Sequence, residues 1–170
     1  MTRRLLITIL PALVGCGYHV VGHSDVLPKT LHTIAIPSFG NATTRYKLAE
    51  RLPGAIGREF IERTRYRIVA DPNQADAILR GAVINYFSGP TIFDSTTGRA
   101  AGVQVIVVLQ LTLTERSTGK VLYTRPSVEF KERYEVSIEQ TAYFDESEPA
   151  LERLSREVAR QVVSSVLSAF

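Results

Sequence analysis

The sequence predicts an α/β fold: a two-layer sandwich in which two main helices pack on one face of a mixed β-sheet. Apolar residues recur at helical spacing in Leu48, Leu52, Ile56 and Phe60, and again in Leu151, Leu154, Val158, Val162, Val166 and Phe170. Between these stripes lie segments of strict alternation, clearest in Val103, Val105, Val107, Leu109, Leu111 and Leu113. The 170 residues, 45% of them hydrophobic, suffice for one core without staples, because a domain of about 150 residues buries roughly 68–70% of its unfolded surface.

The first fifteen residues stand apart from that domain. Arg3 and Arg4 precede an apolar stretch from Leu5 to Val14, followed by Gly15 and Cys16. A positive start, an apolar run of about ten residues and a small residue at the end make a secretory signal over residues 1–15. The run is too short to span a bilayer, and Pro11 would disturb a helix that tried. Residues 16–30, which include Gly17-Tyr18-His19 and Leu27-Pro28, have little periodicity and read as a tether. The single domain is expected over residues 31–170.

Within it, Leu31 to Pro37 alternates and is bounded by prolines, as a strand does, and Ser38-Phe39-Gly40-Asn41 reads as a turn. Thr43 or Thr44 is placed to cap a helix running to about Thr64. Pro53 and Gly54 fall inside its apolar pattern, so a kinked helix or two short ones are expected. Tyr66 to Ala70 is a short strand, Asp71 to Ala75 a turn and Ala77 to Phe87 a longer strand. Ser88 to Gly102, with Gly89-Pro90 and Thr97-Gly98-Arg99, reads as a long polar loop of the kind that often carries function. Val103 to Glu115 and Val121 to about Val136 form a hairpin around Ser117-Thr118-Gly119-Lys120, with Pro126 implying an edge strand or a bulge. Ser147-Glu148-Pro149 opens the last helix with cap chemistry and a tolerated first-turn proline.

Composition excludes several classes of function. With 20 Lys+Arg against 17 Asp+Glu the excess is +3, and two of those bases, Arg3 and Arg4, belong to the export signal. The remaining bases alternate with acids, as in Lys131-Glu132-Arg133-Tyr134-Glu135, so no basic stripe for nucleic acid exists. One cysteine excludes a disulfide framework, and His19, His23 and His32 have no metal-site spacing, so neither metal nor cofactor is expected. Phosphate loops, nucleophile elbows and zinc-protease helices are absent. The carboxylate pairs Asp145-Glu146 and Glu148/Glu152 surround a helix N-terminus, where the macrodipole accounts for them.

Leu13-Val14-Gly15-Cys16 resembles the bacterial lipobox, in which cleavage falls just before the cysteine. That resemblance implies a thioether-linked diacylglycerol on Cys16. Each buried CH2 contributes about 0.8 kcal/mol, so two or three chains hold a protein stably where one does not. Gly17, rather than Asp, at the following position resembles the sorting signal for the outer membrane.

Several stretches in order then resemble the LptE family of lipopolysaccharide-assembly lipoproteins. They are Cys16-Gly17-Tyr18-His19, the strand and turn from Ile34 to Asn41, Ala75 to Gly81, Thr118 to Tyr123, and the terminal helix from Ala150 to Phe170. The resemblance implies a non-enzymatic lipoprotein, anchored on the periplasmic side of the outer membrane. It would plug and help assemble an LptD β-barrel partner, and bind lipopolysaccharide during its insertion into the outer leaflet. Lipopolysaccharide presents phosphates on a sugar and acyl body, so its site should set bases beside apolar side chains at loop tips. Arg99, Lys120 and Arg116 are the candidates by position. Lipoboxes and similar strand-turn starts also occur in periplasmic lipoproteins that activate a cell-wall synthase or form part of a secretion pore, which is the alternative reading. An exported hydrolase without a visible motif is a third.

Overall fold

The computed structural model describes residues 31–96, 98, 100–135 and 147–169. The expected signal peptide, the tether and Cys16 lie outside the described residues, as do Arg99 and Phe170. In chain order the elements are β1 (Thr33–Ala35), β2 (Gly40–Asn41), α1 (Tyr46–Arg63), β3 (Arg67–Val69), β4 (Ala77–Phe93), β5 (Ala100–Glu115), β6 (Val121–Glu135) and α2 (Ser147–Leu167). The six strands form one mixed sheet in the order β3-β1-β4-β5-β6, with β2 beside β4. β1 is parallel to both β3 and β4, and β4, β5 and β6 form an antiparallel meander.

The alternation in β5 sets the two faces. Val105, Val107, Leu109, Leu111 and Leu113 are all buried, whereas Ile106, Val108, Thr112 and Thr114 between them are half-buried and Gln110 is exposed. The buried face packs under both helices, with Leu48, Leu52, Ile56 and Phe60 from α1 and Leu154, Val158, Val162 and Val166 from α2. The expected two-layer sandwich is therefore the observed one, and the opposite face of the sheet carries no helix among the described residues.

Helix α1 is continuous through Pro53 and not divided. An interior proline costs about 3 kcal/mol, but each large apolar side chain buried on α1 contributes roughly 1.5–3 kcal/mol. Leu48, Leu52, Ile56 and Phe60 are all fully buried, so packing overrides the local penalty. The cap also differs from expectation. Arg45 precedes the first turn without a side-chain cap; the Thr43 hydroxyl instead accepts from the Arg45 N–H at 3.1 Å.

The helices run parallel. Arg51 near the start of α1 pairs with Glu152 near the start of α2 at 3.6 Å. Arg63, in the last turn of α1, donates to the Ser164 hydroxyl at 2.7 Å. The Tyr123 hydroxyl meets that of Ser165 at 2.7 Å and pins α2 to β6.

The largest departure lies in the expected loop from Ser88 to Gly102. β4 continues to Phe93 and β5 starts at Ala100, so most of that segment is a hairpin stem. Ladder pairs Ser88–Val105, Pro90–Val103, Ile92–Gly102 and Phe93–Ala100 carry the stem past two register shifts. Pro126 lies on edge strand β6 where the register shifts between Leu109 and Leu111, satisfying both sequence expectations for it.

Candidate functional site

The meander puts its two turns at opposite ends of the molecule. β5 spans Ala100–Glu115, 16 residues, so about 50 Å of strand separates its ends. Arg116 and Lys120 lie together in the β5–β6 turn, while the chain on either side of Arg99 lies at the other end. Arg116 and Lys120 are thus brought together, and Arg99 lies outside the described residues.

At the β5–β6 end the turn is closed by the Glu115 N–H donating to the Lys120 carbonyl at 2.8 Å, with Gly119 at φ +71°. Only glycine takes that left-handed conformation without strain. Lys120 is exposed. Arg116 holds the fold together at this end. Its Nε donates to the Ala75 carbonyl at 2.7 Å and its backbone N–H to the Asp76 carbonyl at 2.8 Å, tying the hairpin to the turn before β4. Asp76 in turn holds the start of β1. Its Oδ2 accepts from the backbone N–H of His32 at 2.8 Å and of Thr33 at 2.9 Å, and from the Thr33 hydroxyl at 2.9 Å. The His32 N–H first, then the Thr33 donors, keep this carboxyl below its ordinary 3.8 against the opposing effect of partial burial.

The other end has a different character. Here the Asp94 carbonyl accepts from the Gly98 N–H at 2.9 Å and its side chain accepts from the Thr96 N–H at 3.1 Å. β2 reaches β4 only at Ala82 and Val83, and Arg45, just before α1, lies 5.4 Å over the Tyr86 ring. From Phe87 onward β4 therefore runs past the start of α1. On this ribbon Phe87 is 59% exposed, Ile92 48% and Phe93 61%. A Cβ built on Gly89 would meet the Phe87 ring at 2.9 Å, and one on Gly102 would meet Ile92 at 3.2 Å, so each large side chain lies over a glycine.

Cross-strand pairing lines up Phe87 with Ile106 and Ile106 with Lys131, and beside that row Gln104 with Arg133. Residues directly opposite share a face, so an exposed aromatic ring, a half-buried isoleucine and two exposed bases stand together on the helix-free side. Lys131 also pairs with Glu129 at 2.8 Å. Such a surface suits an anionic amphiphile: acyl or sugar surface against Phe87 and Ile106, phosphate against Lys131 and Arg133. Sequence reading does not single out these residues. For Phe87 the available signal is the run from Ile84 to Phe93, ten residues without one charged side chain.

Nothing in the described residues groups three or more His, Cys, Asp or Glu as a metal site, and no described helix is long and apolar enough to cross a membrane. The cleft between α1 and α2 is lined by Arg58, Arg156 and Arg160 with Glu59, Glu62 and Glu152, charges of both signs. Several form ion pairs, Arg156–Glu152 at 3.6 Å and Arg160–Glu157 at 3.2 Å among them, as expected of a solvated helix seam.

The fold is similar to several solved structures. A protein of Xanthomonas campestris aligns with a TM-score of 0.55 at 14% identity, covering 88% of this chain and 91% of that one. Lipoprotein B of Nitrosomonas europaea aligns with a TM-score of 0.53 at 13% identity, covering 86% and 87%. The dodecameric PelC of Paraburkholderia phytofirmans gives 0.51 at 14% identity, covering 79% and 86%. Identities this low establish likeness of fold alone. No curated protein matches the sequence. The model of the LptE family, described as lipopolysaccharide-assembly, matches residues 31–166, from the entry of β1 to the last turn of α2. The chain belongs to the LptE family of lipopolysaccharide-assembly lipoproteins.

Proposed function

We propose that this member works at the outer membrane, anchored through a diacylated Cys16 on the periplasmic side. There it occupies the lumen of an LptD-type β-barrel, helps that barrel assemble, and binds lipopolysaccharide during insertion into the outer leaflet. The family match over residues 31–166 carries this reading. The row of Phe87, Ile106 and Lys131, with Arg133 beside it, supports the reading as a surface whose apolar and basic groups suit such a ligand. Arg99 and Lys120 would act as separate anion contacts at opposite ends, with Arg116 holding the turn that presents Lys120. The role is binding and scaffolding, with no bond made or broken.

Affinity purification from detergent-solubilised outer membrane tests this. A stable complex with a large β-barrel is the expected result. Recovery with a penicillin-binding protein, or as a homo-oligomeric ring, would instead favour a cell-wall or secretion role. Growth in radioactive palmitate should label the wild type and leave Cys16→Ser unlabelled.

A further inference from the structure

The two long edges of the meander are built differently. β6 has the features of a protected edge: Pro126 at a register shift, then Glu129, Lys131, Glu132 and Arg133 in sequence, side chains that discourage another strand from pairing. The free edge of β4 shares one of these features, Pro90 at a register shift, but carries no charged side chain from Phe87 to Phe93. Its ladder with β2 ends where the Ala42 N–H donates to the Val83 carbonyl at 2.9 Å. Past the bulge at Ile84 the Asn85 side chain accepts from the Tyr86 N–H at 2.8 Å. From Phe87 to Phe93 β4 then pairs with β5 on one side and, among the described residues, with nothing on the other. This stretch reads Phe-Ser-Gly-Pro-Thr-Ile-Phe; it carries no charge, and Phe87, Ile92 and Phe93 are about half exposed or more.

We infer that the Phe87–Phe93 edge of β4 is a β-augmentation site that receives an extended, uncharged strand of the barrel partner. Unpaired backbone groups specify an extended occupant, because main-chain hydrogen bonds supply affinity in strand addition. The missing charges specify its composition, since a charged strand beside this edge would be desolvated without a counter-ion.

A second copy of the chain fits poorly. A twofold pair of identical edges must be antiparallel, because the parallel ladder bonds its two strands unequally. β1 and β4 start at the same end, so the chain enters there, at Leu31. An antiparallel pair of β4 edges would direct the two entering chains to opposite ends of one sheet. Two copies anchored through Cys16 in the same leaflet would meet that way only with one tether of 15 residues drawn out to nearly its full reach of about 50 Å, at a cost in chain entropy that a strand from the barrel does not carry.

The partner's identity rests on the proposed function, and the test separates the two. A photoreactive phenylalanine analogue is placed at Ser88 or Thr91, with Thr124 on β6 as the reference position, in the full chain in intact cells. The complex is then purified for amide hydrogen exchange. The expected result is copurification of the barrel, crosslinks from Ser88 and Thr91 into one continuous stretch of it, and exchange at residues 87–93 slowed at least roughly tenfold relative to the free protein. Thr91→Lys should remove that protection while leaving the thermal midpoint of the free protein unchanged. Copurification with unprotected amides and no shared crosslinked stretch overturns the edge inference and leaves the proposed function standing. Failure of the barrel to copurify overturns the function and the partner together. Concentration-dependent protection in the protein alone assigns the edge to a second copy and also overturns the inference.

Discussion

Asp76 and Thr33 bind each other in both directions: the Thr33 N–H and hydroxyl donate to Asp76 Oδ2 at 2.9 Å, and the Asp76 N–H donates back to the Thr33 hydroxyl at 2.9 Å and carbonyl at 3.1 Å. This clasp fixes the entry of the chain to the start of β4. Because the native environment holds the Asp76 carboxyl below its ordinary 3.8, ionised Asp76 stabilises the folded state above that value, and the stabilisation is lost as pH falls through the lower folded value. Asp76→Asn should cost about 1–3 kcal/mol at neutral pH. Thermal melts of both proteins from neutral pH down into the acid range should show the gap in midpoint narrowing only at the acid end.

Gly81 leaves room for Phe39. A Cβ on Gly81 would lie 2.5 Å from Cζ of the Phe39 ring, closer than any real contact, and Phe39 is buried at 7% exposure. Gly81→Ala should therefore destabilise by about 1–3 kcal/mol through overpacking. Urea denaturation of Gly81→Ala, Phe39→Leu and the double variant provides the check: the double should cost less than the sum of the singles, as coupled neighbours do.

The strands around Gly81 also show why part of the fold is legible in the sequence and part is not. The alternation of Val103 to Leu113 and the helical stripes of α1 and α2 report burial directly, and each corresponds to the element expected. The β4 stem is hidden because Gly89 and Pro90 have the local chemistry of a turn, yet the ladder with β5 extends past them and Phe87 and Ile92 cover the glycines. Likewise Pro53 breaks a helix only where nothing outweighs it, and α1 is anchored by four buried side chains at four-residue spacing. As for the site, Lys120 is legible as a turn residue, but its distance from Arg99 depends on how far β5 extends. The row of Phe87, Ile106 and Lys131 depends on register, which side-chain pattern within one strand does not report.

Adjacent positions on α1 separate core from surface. Phe60 is fully buried and Ile61 is 60% exposed. Phe60→Ala should lose about 3–5 kcal/mol, since it removes a large ring and leaves a cavity. Ile61→Ala should stay within about 0.5 kcal/mol of wild type. Equal effects in urea denaturation would mean that α1 is rotated about its axis relative to the sheet.

Arg116 and Lys120 share a turn but differ in role, so their substitutions should affect different measurements. Arg116→Ala removes the Nε–H donor to the Ala75 carbonyl and should lower stability by about 1 kcal/mol. Lys120→Asp leaves the turn's backbone bonds intact and should leave stability unchanged while weakening displacement of fluorescent lipopolysaccharide. Arg99→Asp should weaken displacement too. Arg99 precedes Ala100 in sequence, and β5 runs for about 50 Å from Ala100 to the turn that holds Lys120, so the free-energy effects of Lys120→Asp and Arg99→Asp should add within about 0.5 kcal/mol in the double variant. A double variant no weaker than either single would mean that both bases grip one phosphate, which β5 at its observed length does not allow within one protein molecule.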